Sequence, residues 1–323
     1  MVKAIIQRQY GGPETYEQAN LPKPVPDTDE VLIRVRGASL NAADILLMRG
    51  EPYLLRLAFG LRGPRVTIRG RDAAGVVEAV GSAVHRFTVG DEVFAEVSAG
   101  SFAEYTVAPE RVVSRKPTTV SFESAATVPV AGTTALQGLR DVARVRPGDS
   151  VLINGAAGGV GSFAVQLARA LGAEVTAVCS TRNVDLVRSV GAHHVIDYAT
   201  QDFASGDTTY DAVFDLVGNR TINECRRALK RHGTLVLSSG AGGRVFGPMG
   251  RILGASVRSM FVEQTLRPLV ATASAADLDV LREHIEAGRV SPAIERTYPL
   301  AETKAAVSHL IEHHARGKVA ISV

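Results

Sequence analysis

The run Gly155-Ala156-Ala157-Gly158-Gly159-Val160-Gly161 constrains this chain more than any other feature. A short apolar strand pattern at 151–153 precedes it. A helical pattern at 162–171 follows, with Ala164, Leu167, Ala168 and Leu171 on one face. Small residues let a backbone approach a phosphate closely, and the first-turn N–H groups and positive dipole end of the helix then face the anion. A plain strand-to-helix turn would also accept these residues. The strand-before, helix-after context favours a pyrophosphate loop.

The same rhythm continues downstream. Strand patterns at 174–179, 194–198, 212–217 and 234–239 alternate with helical ones, among them 184–190. A further helix at 275–287 carries Leu278, Leu281 and Ile285 at spacings of three and four. Such alternation means a parallel, doubly wound sheet. The first third reads differently. Val31, Ile33 and Val35 alternate with Leu32, Arg34 and Arg36, a half-buried strand. A short helix is expected at 42–49, ended by Gly50, and Ser121 is placed to cap another that Pro129 must break or kink. The stretch 318–323 returns to strand. At 323 residues the chain suits two domains.

Several function classes are disfavoured. Lys plus Arg number 36 against 33 Asp plus Glu, and no block of five basic residues occurs, so a nucleic-acid groove or membrane-surface patch is not expected. Two cysteines, Cys179 and Cys225, make neither a disulfide framework nor a structural zinc site. No secretory leader pattern opens residues 1–10, and no apolar run reaches membrane-spanning length. A soluble, cytoplasmic protein is expected, with neither nucleic acid nor membrane as partner.

The end of the second strand of the nucleotide-binding pattern selects the cofactor. Sites for NAD place Asp or Glu there, about twenty residues beyond the loop. Here the end reads Cys179-Ser180-Thr181-Arg182-Asn183, without a carboxylate. Two hydroxyls and a guanidinium suit a 2′-phosphate instead, although Arg182 could simply be a solvated helix-start residue. NADPH is the expected cofactor.

Further motifs add a resemblance. Gly70-Arg71-Asp72-Ala73-Ala74-Gly75-Val76-Val77 before Val80-Gly81, then Gly90-Asp91-Glu92-Val93, residues 100–105 and residues 156–161, resemble the medium-chain dehydrogenase/reductase superfamily in order and spacing. The resemblance covers nearly the whole chain. It implies an α/β protein: a GroES-like, partly open β-barrel catalytic domain at 1–122, completed by 289–323, and a Rossmann domain at 123–288. It also implies catalytic zinc positions in the alcohol dehydrogenases of this superfamily. Those positions are Asn41 and Arg71 here, neither a usual zinc ligand, and the cysteine-rich structural lobe is missing. The pattern is similar to the zinc-free quinone oxidoreductases and enoyl reductases, so no metal is expected. His309 and His313, four apart on an expected surface helix, do not change this.

Without a metal, hydride from NADPH suits an acceptor that carries the resulting negative charge itself, a quinone or an α,β-unsaturated carbonyl. Asn41 is the candidate polar group near the nicotinamide, with capping of the helix at 42 as its alternative role. Asp44 and Tyr53 are the other catalytic-side candidates. On the cofactor side the resemblance adds Thr133 against the nicotinamide ring and Tyr198 against the adenosine phosphate. The phosphate loop contributes Ala157, Gly158, Gly159, Val160 and Gly161; Ser180, Thr181 and Arg182 serve the ribose phosphate. Gly218, Ser239, Gly240 and Lys318 complete the set. The five glycines within 240–250 read as a mobile segment beside the site. Alternatives are an enoyl reductase acting on a carrier- or CoA-bound thioester, or a noncatalytic nucleotide-binding protein. A homodimer is expected, with 256–262 as a candidate sheet edge.

Overall fold

The computed structural model describes residues 1–238, 249–313 and 316–323. Its strands, in chain order, are β1 (Val2–Gln7), β2 (Tyr16–Leu21), β3 (Glu30–Leu40), β4 (Asp72–Val80), β5 (Glu92–Glu96), β6 (Tyr105–Pro109), β7 (Val113–Arg115), β8 (Ser150–Asn154), β9 (Glu174–Cys179), β10 (His194–Asp197), β11 (Tyr210–Asp215), β12 (Leu229–Leu237), β13 (Thr265–Pro268), β14 (Ile294–Pro299) and β15 (Lys318–Ser322). Contacts divide the chain into two compact units.

The first unit comprises Met1–Thr133, Ala273–Gly288 and Pro292–Val323. Its main sheet runs β14-β15-β3-β4-β5-β7, with β6 also on β3, while β1 and β2 form a separate antiparallel pair. This is the GroES-like part. The alternating pattern around Val31, Ile33 and Val35 lies in β3, where all three side chains are buried. The helix Ala42–Arg49 ends at Gly50, whose φ is +61°. A Cβ at Gly50 would meet the Tyr10 ring at 2.6 Å, so both the turn and the packing require glycine. Ser121 Oγ accepts from the Ser124 N–H at 3.2 Å, capping the helix Phe122–Ala125. Pro129 then opens a new helix, Pro129–Gln137, in the first turn, where its missing N–H costs nothing.

The second unit comprises Thr134–Thr272 and Arg289–Ser291. Its six-stranded sheet runs β10-β9-β8-β11-β12-β13, all pairs parallel. This is the Rossmann-like part. The helix Gly159–Ala170 is buried at every position from Gly161 to Ala168 and opens to solvent only at its ends. Phe163 within it is fully buried. Burying a side chain of that size stabilises by roughly 1.5–3 kcal/mol.

The division between units falls later in the chain than residues 122 and 123. The Val130 N–H donates to Asp72 at 2.9 Å, tying that stretch to the barrel. The helix Ala275–Glu286 also belongs to the first unit. Asp279 accepts from Arg86 and Ser114, and Glu286 accepts from the Thr118 N–H. Periodicity identifies a helix but does not reveal which sheet holds it. The stretch 256–262 is likewise not a strand. The helix Met249–Ser259 occupies its first part, and Met260 and Phe261 follow in an exposed turn. Ser259 Oγ accepts from the Leu266 N–H at 3.0 Å, and the outer strand of the sheet is β13.

Candidate functional site

In the first unit the polar candidates meet in the barrel. Lys318, only 2% exposed, places Nζ 2.5 Å from Asn41 Oδ1 and 3.2 Å from Asp72 Oδ2. Asn41 Nδ2 donates to the same Asp72 oxygen at 2.8 Å, as does Ser39 Oγ at 2.8 Å. The second Asp72 oxygen takes the Val130 N–H. A fully buried carboxylate therefore has four donors, one of them the Lys318 cation, which offset its desolvation. Strand register explains the convergence: Ser39 opposes Asp72 across β3 and β4, and β15 pairs with β3 through Val319 and Leu40.

Asn41 spends both ends of its amide in this network and stands at the N-cap of the helix Ala42–Arg49, in a capping box with Asp44. Asp44 does the capping in reverse: its Oδ2 accepts the Asn41 N–H at 2.8 Å. Asp44 is buried, and its Oδ1 has no partner among the described residues. Burial, then the neighbouring Asp72 charge, pushes its carboxyl up to about 6, against the Asn41 N–H, Arg69 and Lys318, which pull it down. Burial, helped by Asp44, also pushes the Tyr16 phenol up to about 12. Arg71 pairs through one guanidinium nitrogen with Glu96, whose carboxyl is raised chiefly by burial. Tyr53 is 41% exposed and stacks against the Arg56 guanidinium at 4.6 Å; no bond joins it to the Asn41 network. Thr133 is buried on the helix that Asp72 holds at Val130.

In the second unit the turn at 155–161 joins β8 to the helix Gly159–Ala170. Gly155 adopts φ +88°, and a Cβ on Gly161 would lie 2.2 Å from the Gly155 carbonyl oxygen. The helix cap, Gly158, supplies no side-chain bond, so the first-turn N–H groups have no partner within the helix. Ala157, Gly158, Gly159, Val160 and Gly161 all lie on this turn. The cradle suits a pyrophosphate. Nearby, the carboxyl ends of β8 and β11 mark the point where strand order reverses. Asn154 Nδ2 donates to Asp215 Oδ1 at 2.9 Å, and the Gly218 N–H donates to the same oxygen at 2.9 Å. Arg251 pairs with the other Asp215 oxygen.

Ser180, Thr181 and Arg182 follow β9, with both Thr181 and Arg182 exposed. Ser180 Oγ accepts from Asn183 Nδ2 at 3.1 Å and keeps its own proton to donate. Tyr198 is 56% exposed, beside the end of β10. The absence of a carboxylate holds for the β9 end in sequence but not in space. Asp197, at the end of β10, accepts the Thr181 hydroxyl and the Ala199 N–H. These bonds, Thr181 first, lower its carboxyl. Asp72, Ser39, Glu96 and Asp197 are residues that the sequence reading did not single out. Only Asp72 and Glu96 carried a cue, as charged residues beside glycine- or strand-forming motifs. Ser239 and Gly240, and most of the glycine-rich stretch 240–250, lie outside the described residues.

The comparisons agree with this architecture. Residues 27–118 match the family described as alcohol dehydrogenase GroES-like domain, and residues 190–321 match zinc-binding dehydrogenase. The chain is 32% identical to a chloroplast envelope quinone oxidoreductase homolog of Arabidopsis thaliana, over 99% of this chain and 98% of that one. It is 34% identical to an NADPH-dependent alkenal/one oxidoreductase of the same plant, over 99% of this chain and 79% of that one. The structure of the quinone oxidoreductase from Coxiella burnetii superposes with a TM-score of 0.86 at 30% identity, covering 100% and 99% of the two chains. The chain belongs to the medium-chain dehydrogenase/reductase superfamily, in its quinone oxidoreductase-like branch.

Proposed function

We propose that this chain is a zinc-independent, NADPH-dependent reductase of quinones or of the activated C=C bond of α,β-unsaturated carbonyls. The observation that carries it is the Lys318–Asn41–Asp72 network. Asn41 Oδ1 already faces an ammonium at 2.5 Å, and Arg71, at the other position matched to a zinc ligand, is itself a cation. The carboxylates beside them, Asp72 and Glu96, are already paired with Lys318 and Arg71, so a dication would have to displace both cations and would find only a neutral amide oxygen at Asn41. Among the described residues no group of three or more His, Cys, Asp or Glu is arranged to hold a metal ion. The residues at these positions do not suit zinc, despite the name of the matching family.

NADPH, when bound, supplies the hydride. The turn at 155–161 suits its pyrophosphate, Ser180 and Arg182 its 2′-phosphate, and Tyr198 its adenosine end. The named activities of the two Arabidopsis relatives support the quinone and enone acceptors. Likeness to the enoyl reductase CurK, with a TM-score of 0.86 at 26% identity, favours a thioester as the second reading. We also place the protein in the cytoplasm as a homodimer; no helix among the described residues is long and apolar enough to cross a membrane.

The test is NADPH oxidation, followed by the absorbance of the reduced nicotinamide, with 1,4-naphthoquinone, 2-cyclohexen-1-one and crotonyl-CoA. Turnover of either of the first two is expected. Turnover of crotonyl-CoA alone would favour the thioester reading, and no turnover of any would refute a reductase role.

A further inference from the structure

We propose that Arg71 is a catalytic residue that donates a hydrogen bond to the carbonyl oxygen of the acceptor, taking over the electrostatic task that a metal performs in zinc-dependent relatives. The proposal rests on the reductase reading above.

Arg71 stands immediately before β4, next to the buried Asp72. In register, Asp72 opposes Ser39 of β3 and Glu96 of β5, so Arg71, Glu96 and Asn41 share one end of the sheet. The two cations at this end differ in exposure. Lys318 is buried and committed to Asn41 and Asp72. The Arg71 side chain is 39% exposed, while its partner Glu96 is only 13% exposed. One guanidinium nitrogen is held by Glu96. The remaining guanidinium N–H groups bond to no described residue. A planar fork fixed on one side and open on the other can receive an oxygen on its free side.

The chemistry needs such a donor. Hydride arriving at the β-carbon of an enone brings two electrons and one proton. The C=C π pair moves to form an enolate, with negative charge on the carbonyl oxygen. NADPH leaves as NADP⁺, and a proton from water at the α-carbon completes the saturated ketone. A quinone follows the same balance and ends as hydroquinone after protonation of oxygen. In both cases charge develops on an oxygen, and a preorganised guanidinium stabilises it more strongly there than it stabilises the neutral carbonyl. Glu96 serves as a positioning residue, orienting the fork.

The experiment compares wild type with Arg71→Met and Arg71→Lys. With NADPH and 2-cyclohexen-1-one, Arg71→Met should lower kcat by roughly 100-fold, the scale of losing one oxyanion donor, while the NADPH dissociation constant stays within about twofold. A readout independent of turnover uses 4-nitrophenol, whose phenolate absorbs visibly and mimics the developing anion. Bound to wild type in the presence of NADP⁺, it should ionise at a lower pH than in solution. Arg71→Met should abolish that shift, and Arg71→Lys should keep part of it. If Arg71→Met does not fold, the intermediate shift of Arg71→Lys decides the matter. A kcat within about threefold of wild type in Arg71→Met, or identical ionisation of 4-nitrophenol in wild type and variants, would overturn the proposal. Failure of wild type to reduce any acceptor, with the Arg71-dependent ionisation intact, would reject the reductase reading instead.

Discussion

The Thr181 hydroxyl donates to the Asp197 carboxylate at 2.5 Å, joining the end of β9 to the end of β10. This bond places an acidic group where the 2′-substituent of the adenosine ribose is expected. A 2′-phosphate bound there would be attracted by Arg182 and repelled by Asp197, which could instead accept from a 2′-hydroxyl. The wild type should therefore prefer NADPH, with Asp197 moderating the preference. Arg182→Ala should weaken NADPH by about tenfold and leave NADH nearly unchanged. Asp197→Asn should act in the opposite sense, strengthening NADPH by roughly two- to fivefold after solvent screening. Ser180→Asp should turn the preference toward NADH. Fluorescence titration of both cofactors measures all four proteins; an equal effect of Arg182→Ala on the two cofactors would misplace the phosphate pocket.

Lys318 and Asp72 form a buried pair, 2% and 0% exposed in their side chains. Removing one partner leaves the other charge uncompensated, which typically costs about 3–5 kcal/mol. Lys318→Met should therefore destabilise the protein strongly. The double variant Lys318→Met/Asp72→Asn should recover a substantial part of that loss. Urea unfolding reads both, and a double variant no more stable than the single one would show that the charges are not coupled.

Asp44 carries a pH signature. Its carboxyl titrates at about 6 in the folded protein against an ordinary value of 3.8. Between those values the folded state binds more protons than the unfolded state, so stability falls as pH rises from about 4 to about 6 and stays lowered above. A shift of that size corresponds to about 3 kcal/mol. Asp44→Asn keeps an acceptor for the Asn41 N–H and removes the ionisation. Its stability relative to wild type should improve from pH 4 to pH 7.5. Thermal melts across that range test this, and a constant difference would contradict it.

Zinc should be absent at stoichiometric level from tag-free protein, and a chelator should leave the reductase rate unchanged. Elemental analysis alongside the assay decides; one zinc per chain whose removal abolishes turnover would reject the zinc-independent reading.

The outer strand β13 and the exposed turn at Met260 and Phe261, which are 75% and 78% exposed, offer a surface for self-association. Light scattering should give the mass of a dimer, and Phe261→Asp should shift it toward monomer. A wild type that remains monomeric across a concentration series would exclude this.

Much of the fold was readable before any coordinates. The strands β8, β9 and β11 carry short buried stretches, Val151-Leu152-Ile153, Val175-Thr176-Ala177-Val178 and Ala212-Val213-Phe214, and such stretches stand out between glycines and charged segments. The turn at 155–161 was readable for a related reason: its conformation demands glycine at Gly155 and Gly161. What local pattern could not show was lateral neighbourhood. Asp197 lies sixteen positions beyond Thr181, and Lys318 lies 246 beyond Asp72. Only the order of strands within each sheet brings those pairs together. The same limit hid the attachment of the helix Ala275–Glu286 to the barrel, because Asp279 finds Arg86 across 193 positions.

The pairing of β15 with β3 also has a kinetic side. Val319 opposes Leu40, so closing the barrel requires almost the entire chain. The second unit, by contrast, draws nearly all of its residues from one continuous stretch, Thr134–Thr272. Contacts between distant segments form slowly because loop closure opposes them. The nucleotide-binding unit should therefore organise while the barrel is still open, with Asp72 awaiting the cation that will neutralise it. During synthesis that open barrel, with its unpaired β3 edge, is the species that a chaperone would have most reason to hold.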